Sequence, residues 1–582
     1  VIGEAPKPTT AAKASAEPRS AATSTGTALR GLDIARNIYE PTLLLLERAD
    51  GPSSEERGRR GGALSDAAQG ATARERAVLA AVLAAIALPF VPTAGFRFVR
   101  WDDHLHVFEN PLVLRPGSES WIAHLTTPGL GYPTPITILT YRLEAAVFGL
   151  DHPGAFHVAN VALHLVACAL AFGLARRIGL GLAGAALGTL ALGLHPACAE
   201  PVSWISGRKD LLALALGLGS MTLALPHRDG RDPLPRRAAS VALFALALLS
   251  KPVVAYMVAM VVALRVVAAP AGARPGARAL ARVAAPYAAL VALVAPVALL
   301  GERSLGAVHA RPPWQYIREV WYALGFHLRL VALLEEPTAK YLPRTMAFDP
   351  RVDLVPVAFA AVAFGLVRWL PSARRPVALL GLAWAVGAYL PSSNLLPLTR
   401  YLADSYVYGS MLGVGWVLGA CFDHWVAGAG RHARALAAGV PLVAAALLGM
   451  LTVASSGRFR NSLTLWSHVA ERYPDDYRVC RNLALAWYDV ATAREALRGV
   501  DRCIARFGPE HFEMNRAEAL YLLGRLDESE WWFRRVEVRR RASGASADPR
   551  VGHYLGRIAS RRSAAPSGPT FPRALEPGGP AP

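Results

Sequence analysis

The chain has 582 residues, of which 53% are apolar and 18% charged, with a mean hydropathy of +0.29 and a net charge of +19. A soluble globular protein carries about a quarter charged residues, so this balance excludes whole-chain disorder, a collagen and a small disulfide scaffold, and points to a polytopic membrane protein. No helix-turn-helix, zinc-finger or RNA-binding signature accompanies the excess of Lys and Arg, so nucleic acid is not the expected partner; arginines gathered in loops beside a bilayer account for the charge instead.

Residues 1–75 are rich in Ala, Ser, Thr, Pro, Gly and charge, and are expected to form a disordered cytoplasmic arm. The start shows no signal-peptide pattern. The first apolar run, Ala77–Phe90, follows Arg74 and Arg76 and reads as an uncleaved span with its basic end inside. Ten more runs follow, at about 154–175, 179–194, 211–225, 238–250, 252–269, 283–300, 354–370, 376–390, 404–421 and 434–454. Several are shorter than the ~20 residues that a span needs, so their ends extend into the flanks. Leu324–Leu334 is a twelfth apolar stretch, but His327 and Arg329 interrupt it, and Trp314–Leu334 reads as an amphipathic or re-entrant helix.

Eleven spans counted from a cytoplasmic N-terminus place Arg176/Arg177, Arg228/Arg231/Arg236/Arg237, Arg274/Arg278/Arg282, Arg374/Arg375 and Arg431/Arg434 in inside loops. That distribution follows the positive-inside rule. The outside loop 301–353 runs against it, with Arg303, Arg311, Arg318, Arg329, Lys340, Arg344 and Arg351. Either this loop is an anion site or the spans are miscounted there.

Beyond the last span the chain turns polar and keeps a helical period over 461–540. Leu483, Ala484, Trp487, Ala491, Ala496, Val500 and Cys503 are followed 33 residues later by Arg516, Ala517, Leu520, Gly524, Ser529, Phe533 and Val536. This offset fits degenerate tetratricopeptide (TPR) repeats. Two repeats are few for independent stability, so the tail is expected to lean on the membrane domain. Residues 541–582 return to Pro, Gly, Ser and Arg and are expected to be disordered. The expected fold is therefore all-α: a membrane domain over 76–455 with about eleven spans, then an α-helical tail.

Candidate chemistry gathers in the outside loops. "FRFVRWDDHLHVFENP" sets Asp102 beside Asp103 just past the first span. A carboxylate there can deprotonate an acceptor hydroxyl, or simply cap a solvated turn. "HPACAEPVSWISGRKD" holds His195, Glu200, Arg208, Lys209 and Asp210. Arg and Lys bind phosphate, although Ser206 and Asp210 also suit a capped helix start. Lys251 breaks an apolar stretch in "LLSKPVV", as a functional cation or an interfacial turn. "PSSNLLPLTRYLADSYVY" holds Asn394, Arg400 and Asp404; Arg400 and Asp404 stand four apart and suit either a pair or a ligand rim. His157 and His164 share a helix face, but a metal needs further ligands, and no metal or other cofactor is expected. Among the five cysteines no CxxC occurs; Cys480 and Cys503 lie in the tail and suit a disulfide if it faces an oxidising compartment.

The ordered strings "WDDH…ENP", "TPITILTYRL…FHVANVALHLV", "LHPACAEPVSWISGRKDLLA", "FALALLSKPV" and "PSSNLLPL…ADSYVYGSMLG", ending in "ERYPDDYRVCRNLALAWY", resemble the transmembrane-and-TPR (TMTC-type) protein O-mannosyltransferases and their bacterial relatives, of the GT-C class. The resemblance covers about 77–540. It implies transfer of a sugar, typically mannose, from a polyprenyl-phosphate carrier to a hydroxyl of a protein acceptor on the outer membrane face. Asp102 or Asp103 would be the base. Arg208 and Lys209 would meet the donor phosphate, with the basic loop 301–353, Lys251 and Arg400 as further cations, and the tail would face outside and meet the acceptor. Motif spelling and Ala/Arg/Gly-rich usage suggest a bacterial inner membrane. The chain departs from the family at Pro133–Thr134, Pro252 and Ser405, where the family has Arg, Glu and Arg. Those losses suit a second reading, a non-catalytic membrane scaffold with a partner-binding tail. A third, a transporter, predicts polar residues at mid-span, whereas here they gather in the loops.

Overall fold

A computed structural model describes residues 72–114, 132–226, 231–269, 273–304, 312–342, 347–396, 398–430, 432–433, 439–490, 492–544, 546 and 548–564. Nearly all of the arm 1–75 lies outside them, as do Arg311 and Arg344. The described residues form helices and no β-strand. The longer helices are α1 Thr72–Gly95, α2 Pro135–Phe148, α3 Pro153–Arg177, α4 Leu182–Leu194, α5 Arg208–Ala224, α6 Leu234–Ser250, α7 Met257–Val267, α8 Ala277–Ser304, α9 Pro313–Val331, α10 Val355–Trp369, α11 Arg375–Tyr389, α12 Ser410–Gly428 and α13 Gly439–Gly457. The tail adds α14 Ser462–Arg472, α15 Tyr477–Val490, α16 Ala493–Phe507, α17 Glu513–Leu522, α18 Leu526–Ala542 and α19 Pro549–Ala564.

Over the described residues each apolar run of the sequence is largely helical. Among the described residues five helices are long and apolar enough to cross a bilayer, or six if Leu194–Pro196 is a 52° bend within one span. The chain is thus a membrane protein by the length and apolarity of its helices. The shorter α5 and α11 contribute to the interior, where Leu211, Leu218, Leu380 and Trp384 are buried. Perimeter helices keep apolar side chains on their outer surface: Leu293 on α8, Phe364 on α10 and Leu442 on α13 are each at least 70% exposed.

The interior is held by close backbone approach. Gly184 and Gly188 of α4 face Gly419 and Gly415 of α12, where a Cβ on Gly188 would stand 2.5 Å from the Gly415 carbonyl oxygen. Gly381 of α11 and Gly413 of α12 meet in the same way. Small residues are the means by which helices associate in lipid, where burial of apolar surface gives no drive. Asp423 of α12 closes this seam. Its carboxylate accepts from the Gly181 and Gly184 amides at the start of α4, and Arg374 lies 3.3 Å away.

The tail packs helix on helix, with capping boxes at Asn461/Thr464 and Thr492/Glu495 starting α14 and α16. Cys480 and Cys503 are joined by a disulfide that ties α15 to α16. Part of the stretch expected to be disordered is ordered: Pro549–Ala564 is helical, because Val551, Tyr554, Leu555 and Ile558 recur at helical spacing and pack on the core of α17 and α18. The tail also leans on the membrane domain. Val99, Trp204 and Ala339 share a core with Phe459, Leu465, Trp466 and Val469, and the Arg100 amide donates to Ser462 Oγ at 2.8 Å.

Candidate active site

The segment after α1 turns back at once and is pinned by one carboxylate. Asp103 is fully buried. Its Oδ2 accepts from the Val99 amide (2.8 Å), and its Oδ1 accepts from the amide and hydroxyl of Ser206 (3.0 and 2.5 Å). Burial pushes the Asp103 carboxyl up to about 6, against these hydrogen bonds, which favour the ionised form. Asp103 thus ties the first loop to the loop before α5.

Asp102 is placed differently. It is half-buried, and among the described residues its carboxylate makes no hydrogen bond. Burial raises its pKa above the ordinary aspartate range, while Lys209, Arg400 and His104 pull it back. A half-buried carboxylate in the field of Lys209, Arg400 and His104, with no hydrogen-bond partner among the described residues, can serve as a general base.

The adjacent pair Arg208–Lys209 divides likewise. Arg208, expected among the phosphate ligands, is fully buried. It donates from Nε to Asn160 Oδ1 (2.8 Å), from one terminal nitrogen to Glu144 (2.6 Å) and from the other to the Phe156 carbonyl (2.7 Å), and its guanidinium lies over Tyr141. It is a brace between α2, α3 and α5. Lys209 points the other way, donating to the Ser206 carbonyl and standing 5.0 Å from the Trp204 ring.

Trp204 and Trp101 stack at 4.5 Å, and Arg400 lies 4.6 Å over the other face of Trp101. The column Arg400–Trp101–Trp204–Lys209 therefore holds two cations at the ends of two stacked indoles, beside Asp102. Cation–π contact fixes each cation in place without neutralising it. Sequence reasoning missed the tryptophans as site residues, although Trp101 precedes the two aspartates directly and Trp204 stands in the "VSWISGRKD" string.

Arg400 is also held in a fork by Glu200 (2.6 and 3.0 Å) and donates to the Ala339 carbonyl. Glu200 further accepts from the Asp404 amide, and Asp404 accepts from the Tyr341 hydroxyl. Glu200, Arg400 and Asp404 thus form one network rather than Arg400 pairing with Asp404. Asn394 takes a left-handed backbone (φ 63°) and donates to the Tyr401 carbonyl, closing the loop that carries Arg400.

The remaining candidates lie elsewhere or are engaged. Lys251 is paired with Asp210 at 2.6 Å, both buried, joining α5 to the turn after α6. His195 holds its own turn, accepting from the Ala197 amide and reaching the Val331 carbonyl. His157 approaches the Arg97 carbonyl, and His164 lies between Tyr408 and the Gly193 carbonyl. In the basic loop, Arg318 is forked on Asp353 and Arg329 reaches Glu335. Lys340 makes no hydrogen bond or ion pair among the described residues, and Arg400 is among the charges it feels.

The tail roofs this region. Trp466 meets Trp101 edge to face at 6.1 Å, and Arg472 pairs with Glu335 beside Tyr341. A carboxylate, two cations and two stacked indoles thus lie together beneath the helices of the tail.

The chain is similar to a protein O-mannosyl-transferase. The match is to Tmtc2 of Drosophila melanogaster, 32% identical over 176 residues, which is 28% of this chain and 19% of that protein. The chain thus spans about a fifth of that relative's length. No family model and no solved structure matches. The likeness supports a TMTC-like relationship over the matched stretch.

Proposed function

We propose that the chain is a glycosyltransferase that moves a sugar, mannose by kinship, from a polyprenyl-phosphate carrier to a hydroxyl of a protein acceptor. The observation that carries the reading is the open Asp102 carboxylate facing Lys209 and Arg400. In this reading Asp102 takes the proton of the acceptor hydroxyl as its oxygen attacks the anomeric carbon. The carbon–oxygen bond to the carrier phosphate breaks with its electron pair, and the phosphate leaves toward Lys209, with Arg400 and Lys340 adding positive field. Asp103 and Arg208 position the two loops and touch no substrate. Metal is not invoked: Lys209, in no ion pair among the described residues, can take the charge of the leaving phosphate.

The tail, read as TPR repeats, receives the acceptor above the column. The Cys480–Cys503 disulfide supports placing the tail, and with it the site, on the oxidising side of the membrane, outside the cell or in the periplasm. The arginine-rich loops between α3 and α4, and between α10 and α11, then face the cytoplasm.

The test is a transfer assay in membranes. Radiolabelled polyprenyl-phosphate-mannose is supplied to vesicles bearing wild type, Asp102→Asn or Asp103→Asn, and label in protein is counted. Label that vanishes in Asp102→Asn, with that variant still folded, is expected. Loss confined to Asp103→Asn would overturn the assignment of the base. No label in wild type with any lipid-linked sugar would leave the scaffold reading, in which the tail recruits a partner.

A further inference from the structure

We propose that a groove on the flank of the membrane domain, apart from the column, binds an anionic phospholipid. The proposal does not depend on the glycosyltransferase reading. The groove lies where α1 ends and α2 and α3 meet, and is an open trough of about 740 Å³. That is within the roughly 300–1,000 Å³ range of small-molecule sites. Its walls are Val147 and Phe148 of α2 and Val158 of α3, side chains 51–63% exposed. Its floor exists because α3 starts hard against α1: a Cβ on Gly154 would stand 2.2 Å from the Ala94 carbonyl oxygen.

The rim is polar on one side only. Arg97 and His152 line it, and among the described residues no carboxylate does. The Arg97 guanidinium is exposed and, among the described residues, has no hydrogen bond or ion pair. Its backbone is the anchored part: the Arg97 amide donates to the Arg460 carbonyl, and its own carbonyl meets His157. The loop is thus held while the cation is left over. Since α1 ends and α3 begins here, the rim lies level with one face of the bilayer and the apolar walls run into it. An arginine at headgroup height above an apolar slot matches a lipid phosphate with acyl chains below.

The phospholipid is preferred to a free anion because the walls are apolar and exposed. The full chain is placed in nanodiscs of equal phosphatidylglycerol and phosphatidylcholine, and retained lipid is counted by native mass spectrometry. Wild type is expected to keep phosphatidylglycerol over phosphatidylcholine by about fivefold, the value of one cation near a bilayer surface. Arg97→Ala should bring the ratio near one, and Arg97→Lys should restore most of it. Truncation spares the backbone anchors, so thermal unfolding should not move. No preference in wild type, or a preference that survives Arg97→Ala, would overturn the proposal. Arg97-dependent displacement of phosphatidylglycerol by equimolar decaprenyl phosphate would also overturn it, naming the sugar carrier as the occupant.

Discussion

Two dipeptides of like charge, Asp102–Asp103 and Arg208–Lys209, each split between a braced half of the site and an open half. Asp103 and Arg208 are fully buried, with their polar atoms spent on Ser206, Val99, Asn160, Glu144 and Phe156. Asp102 and Lys209 are half-buried and face one another's field. The braced half holds position because an unpaired buried charge is costly, so every partner must stay. Neither Asp102 nor Lys209 of the open half is in an ion pair among the described residues. Under the proposed function, positioning and chemistry are separated by one residue in each loop.

Asp102→Asn should break the open half hardest, lowering transfer by about 10²–10⁴-fold with an unchanged unfolding temperature in detergent. Arg208→Met should break the braced half instead. It strands Glu144 and Asn160, costs about 3–5 kcal/mol of stability in thermal unfolding, and lowers activity only as the fold is lost. If Arg208→Met kept its stability but lost donor affinity, the division drawn here would be wrong.

Lys209→Ala should slow transfer roughly tenfold or more at unchanged stability, with partial rescue by Lys209→Arg. Comparing it with Arg400→Ala separates the ends of the column, since loss of Arg400 also orphans Glu200 and should lower stability.

The pH dependence sharpens the comparison further. Asp102 must be ionised to act, and its pKa is raised, so activity should fall as pH drops at a point above the usual aspartate range. Asp103 affects stability. Its folded pKa of about 6 exceeds the unfolded value of 3.8, so its contribution is fullest below 3.8 and declines as pH rises through 6. The change in unfolding free energy between pH 4 and 6 should therefore be smaller in Asp103→Asn than in wild type. Equal slopes would show that Asp103 does not titrate there.

Much of this was legible along the chain. The apolar runs became helices, the tail kept its helical period through capping boxes at Asn461 and Thr492, and Cys480 and Cys503 came together one helical hairpin apart. Span number was less legible, because α5, α6 and α11 are apolar for reasons of interior burial as much as of lipid contact, and hydropathy does not separate the two. The helix at Pro549–Ala564 was hidden by the Arg, Ser and Gly between its apolar positions.

The site was legible as a set of loops and not as a set of roles. Composition and order alone determined that the chain is helical and membrane-embedded, and that its charged residues gather in the same few loops. Whether Asp102 or Asp103 is free, whether Arg208 or Lys209 faces outward, and that Arg400 is forked on Glu200 were decided by tertiary structure. Neighbouring side chains of like charge are equivalent in one dimension. They become different when the backbone sends one into a dry interior, where it must be paired, and leaves the other where water or substrate can meet it.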